Sequence, residues 1–432
     1  MSWEFAGILV TFLLFGLLLS GLWIAMGLGL VGILAILIVD PASIRGVGVV
    51  VWDTLDSFVL TAVPLFLWMG SIILHSGVSS NFYKGLSKWL DHLPGSLAHS
   101  NILACSIFAA VSGSSVATAA AIGAIAIPEM EARGYDRPLT YGSLAAGGTL
   151  GILIPPSLIF ILYGASIGES VGRLFIAGVI PGIILSAFFV LYIGIRTLID
   201  PSLVPRKESH ATWAERLKSL GSLLPIFFLM FVIFGGIYFG IATPTEAAAL
   251  GVAGALLVAR ANGRLNGSTL RISLQESIKT NCMILFIVVG AQIMAFALVT
   301  AGIPRALVAL ITGLPVAPWV IFFFICFMYL ILGCFMDAIS LMLLTLPVVY
   351  PVMLSLGYDP VWFGVVLVIL LEIGLITPPV GMNLFVIQGM ARCPLSSVAQ
   401  GSFPFVMIML AMIFLLSLYP SLALWLPSRM MM

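Results

Sequence analysis

Charge is what this chain has least of. Of its 432 residues, 18 are Lys or Arg and 17 are Asp or Glu, 8% in all, with a formal net charge of +1. Soluble globular chains carry about 25% charged residues, and so few charges cannot cover a water-facing surface. A balance near zero also excludes nucleic-acid binding, which needs a basic footprint. Four histidines, widely dispersed, are too few for a metal cluster. The five cysteines (Cys105, Cys282, Cys326, Cys334 and Cys393) show neither ligand spacing nor a disulfide framework. No nucleotide loop, haem motif or convergent Ser/His pair appears, so nothing points to an enzyme.

What is there is apolar: 61% of the chain, with 43 glycines and 24 prolines. At roughly 20 residues per span, the apolar stretches allow about 10 to 13 membrane segments. The fold class expected is an all-α polytopic membrane protein. The apolar region 5–39 has no basic residue before it and no processing site, which reads as an uncleaved first span followed by a short second one. Other apolar stretches are too long or too short for single spans, as paired half-helices would be.

Basic residues set the orientation. One loop holds Arg196, Arg206, Lys207, Arg216 and Lys218, and another Arg260, Arg264, Arg271 and Lys279. Two apolar segments, split at 240–244, separate them. If both segments span, the two loops share a side, and the positive-inside rule makes it cytoplasmic. The first loop divides the chain into halves 1–200 and 221–432, with a linker at 201–220. Trp213–Lys218 and the stretch around Lys84, Lys88 and Trp89 read as interfacial helices or plain loops.

The halves echo one another. Gly-Ile-Leu-Ile-Pro-Pro ends at Pro156 and Gly-Leu-Ile-Thr-Pro-Pro at Pro379, 223 residues apart. Proline has no N–H and disfavours helix in the residue before it, so each pair breaks a helix. Gly29 and Gly32 recur as Gly251 and Gly254 at an offset of 222. Upstream of the first break lie Ser112-Gly113-Ser114-Ser115 and Thr118, then Pro128. Upstream of the second lie Gly333-Cys334, Asp337 and Ser340, then Pro347. Aligning those last prolines sets Thr118 against Asp337. An internal duplication with broken helices at matching places points to a secondary transporter's binding site. An odd number of spans per repeat would make the repeats inverted.

Each break region suggests chemistry. Ser112, Ser114, Ser115 and Thr118 offer neutral oxygens suited to Na⁺, or small side chains for helix packing. Gly151, Pro155 and Pro156 free carbonyls that a cation can use, or merely kink the helix; Ser157 follows as a substrate or coupling candidate. Asp337 is a carboxylate in an apolar tract, needing Na⁺, a proton or a structural hydrogen-bonding role at a loop. Ser340, Thr377, Pro378, Pro379 and Asn383 are grouped with it. Glu372 either serves that site or ties broken helices together. Pro244 and Glu246 form an ordinary helix start. Pro64 begins or bends a helix. No arginine sits mid-span; Arg173 and Arg305 lie near segment ends.

These motifs resemble the large membrane subunit of tripartite ATP-independent periplasmic (TRAP) transporters. The resemblance covers nearly the whole chain: Ala62–Gly70, Ser112–Gly123 with Ile127-Pro128-Glu129-Met130, and Gly148–Ser157 in the first half. The second half adds Thr243–Ala248, Cys334–Ser340 with Leu346-Pro347, and Ile376–Gly381. It implies a bacterial inner-membrane subunit, bathed in membrane lipid, working with a small four-span subunit and a periplasmic substrate-binding protein. It implies uptake of an organic acid (a C4-dicarboxylate, sugar acid or 2-oxo acid) driven by Na⁺ at two or more sites. It also implies hairpins and broken helices that move as an elevator. The Ser112–Ser115 tip would face the Gly151–Pro156 break, and Asp337 would face Thr377–Pro379. The rival classes are a stand-alone Na⁺- or H⁺-coupled organic-anion transporter and a membrane assembly subunit that transports nothing.

Overall fold

The computed structural model describes residues 3–205 and 211–430; Arg206 and Lys207 of the first basic loop lie outside them. The described residues form helices joined by short turns, with no strand. The first half runs α1 (Trp3–Leu19), α2 (Ile24–Val39), α3 (Ile44–Leu55), α4 (Ala62–His75), α5 (Val78–Leu90), α6 (Leu97–Ser112), α7 (Ser115–Ala132), α8 (Arg137–Thr149), α9 (Leu158–Ile167) and α10 (Val171–Ile199). The second runs α11 (Trp213–Tyr238), α12 (Pro244–Ala261), α13 (Gly267–Thr300), α14 (Ile303–Thr312), α15 (Pro318–Gly333), α16 (Ala338–Ser355), α17 (Pro360–Leu375), α18 (Met382–Ala391), α19 (Leu395–Leu418) and α20 (Ser421–Met430).

Fewer helices span at full length than the apolar stretches suggest. Six described helices (α7, α10, α11, α13, α16 and α19) are long and apolar enough, and a seventh span is a pair bent by 51° between Leu55 and Val59. Seven more apolar helices have only 10–17 residues. The cause is local. Backbone breaks at 113–114, 150–157 and 376–381 cut apolar stretches that hydropathy alone leaves whole. Pro64 sits in the first turn of α4, just past the bend, where its missing N–H costs nothing.

Packing between the halves is reciprocal. α2 lies on α13, and α12 on α4; α8 lies on α19, and α17 on α10; α7 meets α18, and α16 meets α9. At the first of these contacts Gly29 meets Gly290, and the backbones approach as only small residues allow.

The helix starts correct one sequence alignment. Ser114 is the N-cap of α7, and Asp337 is the N-cap of α16. They stand 223 residues apart, as the two proline pairs do, and so do Pro128 and Pro351, both inside those helices. The counterpart of Asp337 is therefore Ser114 rather than Thr118. Pro347, one turn earlier in α16, is the wrong anchor, because an apolar helix tolerates a second proline that carries no register information.

Two loop readings also change. Trp213–Lys218 is the first turn and a half of α11, started by a capping box between Thr212 and Glu215, not a separate surface helix. The second basic segment is mostly helix: Asn266 caps α13, so Arg271 and Lys279 lie on it. α5 is amphipathic, burying Val78, Phe82, Tyr83 and Leu86 while Lys84 and Lys88 stay exposed. It packs on α11, where Trp89 Nε1 donates to Ser219 Oγ at 3.1 Å and Arg216 pairs with Asp91 at 2.9 Å.

Candidate ion and substrate site

The first hairpin tip is a four-residue event. Gly113 closes α6 at φ +61°, a left-handed conformation that glycine adopts without penalty. Ser114 then returns to extended backbone, and its Oγ accepts from Ala117 N–H to start α7. Ser112 and Thr118 converge behind the tip, hydroxyl to hydroxyl at 2.5 Å. The first break lies directly against this turn. Leu158 N–H donates to Gly113 O at 3.4 Å, and a Cβ on Gly151 would stand 2.9 Å from both Ser114 O and Thr118 Oγ1. Only a glycine lets the break come so near. Ser112, Ser114, Thr118 and Gly151 thus share one small volume. Pro155 and Pro156 are buried beside it, joined by a cis peptide bond.

Ser157 is occupied with structure. Its hydroxyl donates to Ile152 O and accepts from Phe160 N–H, capping α9. Ser115 sits in the first turn of α7, and its Oγ accepts a hydrogen bond from Asn383 Nδ2 at 2.8 Å. This overturns the grouping of Asn383 with Asp337: α18 carries it across to the first half's tip, where Nδ2 also donates to Ala145 O at 3.0 Å.

The second junction repeats the plan with different chemistry. Asp337 Oδ1 accepts from Ser340 N–H at 3.0 Å, the capping job that Ser114 does in the first half. A carboxylate in that place is stabilised by the helix N-terminus as well. Val380 N–H donates to Cys334 O at 3.0 Å, and Gly374 packs so tightly on Gly333 that a Cβ would lie 2.9 Å from Gly333 O. Thr377 Oγ1 donates to Ile373 O at 2.6 Å. Pro378 and Pro379, again cis, are exposed, unlike their counterparts. Ser340 is fully buried, and its hydroxyl has no partner among the described residues. The same holds for both carboxyl oxygens of Glu372, two residues before Gly374. Burying such groups unpaired is costly. Pro244 and Glu246 make a helix start: Glu246 and Thr243 close a capping box at the head of α12.

One cavity of about 520 Å³ lies between the tips. Ser112–Ala117 forms one wall and Asp337–Ile339 another; the starts of α7 and α16 both reach it. The facing wall comes from α4 and α13, with Ser71, Glu276, Ser277 and Thr280 among its polar groups. Among the described residues no Lys or Arg lines it, and the two charged ones that do are Asp337 and Glu276. Glu276 Oε2 accepts from Ser71 Oγ at 3.1 Å and stands 2.7 Å from His75 Nε2. Arg173 pairs with Glu169 at 3.2 Å, and neither it nor Arg305 lines the cavity.

Sequence reading missed Ser71, His75 and Glu276. The signal for Glu276 was present: the Asn266 cap starts a helix that makes Arg271, Glu276 and Lys279 residues of a span rather than a loop. The cavity's side follows from the same corner. His75 ends α4, the next carbonyl, Ser76 O, accepts from Asn262 Nδ2 at 2.9 Å, and Asn262 lies in the basic α12–α13 turn. The Glu276 end of the cavity is therefore on the side of the basic loops, the cytoplasmic side by the positive-inside rule.

Short helices meeting at paired breaks around one shared cavity, within a bundle of apolar spans, define a membrane transporter subunit. Residues 11–422 match the family described as "Tripartite ATP-independent periplasmic transporter, DctM component", and the chain belongs to that family. It is a multi-pass inner-membrane protein and a transport subunit rather than an enzyme. It is 38% identical to the "C4-dicarboxylate TRAP transporter large permease protein DctM" of Pseudomonas aeruginosa, over 93% of each chain. It is 32% identical to the protein of the same name from Vibrio cholerae, over 98% of each. Among solved structures, the Alcanivorax borkumensis YdaH transporter, described as having an unusual topology, aligns with a TM-score of 0.56 over 86% of this chain and 85% of its own. Identity there is 13%, so the likeness is one of fold.

Proposed function

We propose that this chain is the translocating subunit of a tripartite system that takes up an organic acid with Na⁺. It works with a small four-span membrane subunit and a periplasmic substrate-binding protein. The observation that carries this reading is the pair of tip–break junctions flanking one cavity. In the first, Ser112 Oγ, Thr118 Oγ1 and Ser114 O are neutral oxygens beside Gly151. Such a set suits a hard monovalent cation, and unwound backbone in transporters commonly provides it. In the second, Asp337 and Ser340 open α16 shortly after Gly333, and Thr377 follows Gly374, which packs on Gly333. An anionic substrate in a cavity that no described Lys or Arg lines relies on a helix N-terminus, and the start of α7, capped by the neutral Ser114, supplies one.

Duplication and alternating access belong to the same reading. The tips, the breaks and the helices they join move together against α4 and α13, carrying the loaded cavity from periplasm to cytoplasm. In this reading the half-exposed Glu276, on the basic-loop side, lies toward the cytoplasmic end of the cavity. A C4-dicarboxylate is the leading substrate, since the Pseudomonas and Vibrio relatives bear that name. Proteoliposomes containing this chain, its small subunit and its binding protein test the proposal. Uptake of radiolabelled succinate should require an inward Na⁺ gradient. Equal uptake without one would reject Na⁺ coupling, and uptake by this chain alone would reject the tripartite requirement.

A further inference from the structure

Asn383 is the point where the two halves touch through a buried polar side chain at the site. It lies in the first turn of α18, four residues after Pro379. Its side chain is fully buried. Nδ2 donates to Ser115 Oγ at 2.8 Å and to Ala145 O at 3.0 Å, one in α7 and the other in α8. Reversing the amide would turn its oxygen toward the Ala145 carbonyl, acceptor against acceptor, so the orientation is fixed by chemistry. Oδ1 then has no partner among the described residues.

The same short segment is tied to the second tip. Val380 N–H bonds to Cys334 O at 3.0 Å, and Gly381 O accepts from Leu384 N–H at 2.8 Å to begin α18. Cys334, Val380, Asn383 and Ser115 therefore form a connected path from the second tip to the first. Among the described residues no matching side-chain bond runs the other way. The residue 223 positions before Asn383 is Phe160, in the first turn of α9; its ring packs against Gly178 of α10 in its own half. An unsatisfied buried acceptor carries a penalty in this arrangement, so the link has reason to settle differently once a cation rearranges either tip.

We propose that Asn383 couples the two breaks, so that a cation at the second favours a cation at the first. It is a positioning residue: it acts through Ser115 and the start of α7. Coupling of this kind is reciprocal, each site raising the affinity of the other. The inference rests on the Na⁺ reading given above.

Initial uptake rate against Na⁺ concentration, in proteoliposomes with all three components, decides it. Wild type should respond more steeply than two independent required sites allow. Asn383→Leu should fall back to the shallower sigmoid of two independent sites, with half-saturating Na⁺ raised roughly 3- to 10-fold, the factor that one net hydrogen bond supplies. Ser115→Ala removes the same bond from the other side and should behave alike; it decides the matter if Asn383→Leu does not fold. If both variants keep the wild-type steepness and lose only maximal rate, the link is merely structural and the coupling is wrong. A wild-type rate indifferent to Na⁺ would instead overturn the cation reading on which it stands.

Discussion

Ser112 and Thr118 meet hydroxyl to hydroxyl at 2.5 Å, six residues apart across the turn that joins α6 to α7. Thr118 is fully buried, and its backbone N–H is already bonded to Ser114 O at 3.0 Å. Its hydroxyl is thus the replaceable part. Thr118→Val keeps the shape and removes the oxygen. Half-saturating Na⁺ for uptake should rise about 10-fold, as loss of one buried polar interaction implies. Unaltered Na⁺ dependence would take Thr118 out of the cation site.

Gly151 should tolerate nothing larger. In Gly151→Ala the new methyl would meet Ser114 O and Thr118 Oγ1, both at 2.9 Å. Overpacking of this kind costs about 1–3 kcal/mol. Thermal unfolding in detergent should drop accordingly, and uptake should fall with it. Gly221→Ala, in α11 with nothing within 4 Å, is the control. It should raise stability by roughly 0.5–1 kcal/mol, because alanine suits a helix interior better.

Glu276→Gln neutralises one of the two carboxylates facing the cavity. The pair with His75 is half exposed, so its loss should cost less than about 1 kcal/mol of stability. The effect to look for is on the substrate. With one negative charge gone, KM for an anionic substrate should fall by a few-fold while kcat stays near wild type. A raised KM would mean that Glu276 holds a substrate hydroxyl instead.

The direction in which the cavity opens can be read by labelling. Ser277 and Thr280 line it near the basic-loop side. With Cys282 and the other native cysteines replaced, Thr280→Cys should react with an impermeant thiol reagent in inside-out vesicles and resist it in right-side-out ones. The reverse pattern would place the mouth in the periplasm.

Removing one partner of the Arg216–Asp91 pair should matter more than surface pairs do. The side chains are 13% and 5% exposed, and the bond is 2.9 Å. Arg216→Met removes the guanidinium from a buried carboxylate that still accepts from Ala211 N–H at 2.6 Å, so the loss should lie between the roughly 1 kcal/mol of a surface pair and the about 3–5 kcal/mol of a fully broken buried pair. A stability loss below about 1 kcal/mol would show that water reaches the carboxylate.

Much of this was legible in the chain. Two proline pairs and a run of hydroxyls announce themselves in apolar sequence, because a backbone group inside a membrane must find a partner and these residues prevent the ordinary one. Ser112, Thr118 and Gly151 were named from that alone, and they do meet. Asp337 was legible as a special carboxylate, but not as a cap, because its register was taken from Pro347 when Pro351 is the match. His75 was not legible, and Glu276 was legible only through the Asn266 cap, since a charge near a basic turn reads as a loop until the helix around it is recognised.

The sequence by itself determined where helices stop. That choice is local: proline lacks a donor, Gly113 adopts a left-handed turn, and Ser114 and Asp337 satisfy the N–H groups that open the next helix. Only the tertiary structure decided which stops face which. Asn383 was assigned by its neighbours to the second break and found, 268 residues away, bonded to Ser115. The physical reason is that apolar helices of similar composition can pack in many ways, and the choice among them is fixed by close backbone approach at glycines and by a few buried polar pairs. Those contacts join residues distant in the chain, and a single sequence does not state them.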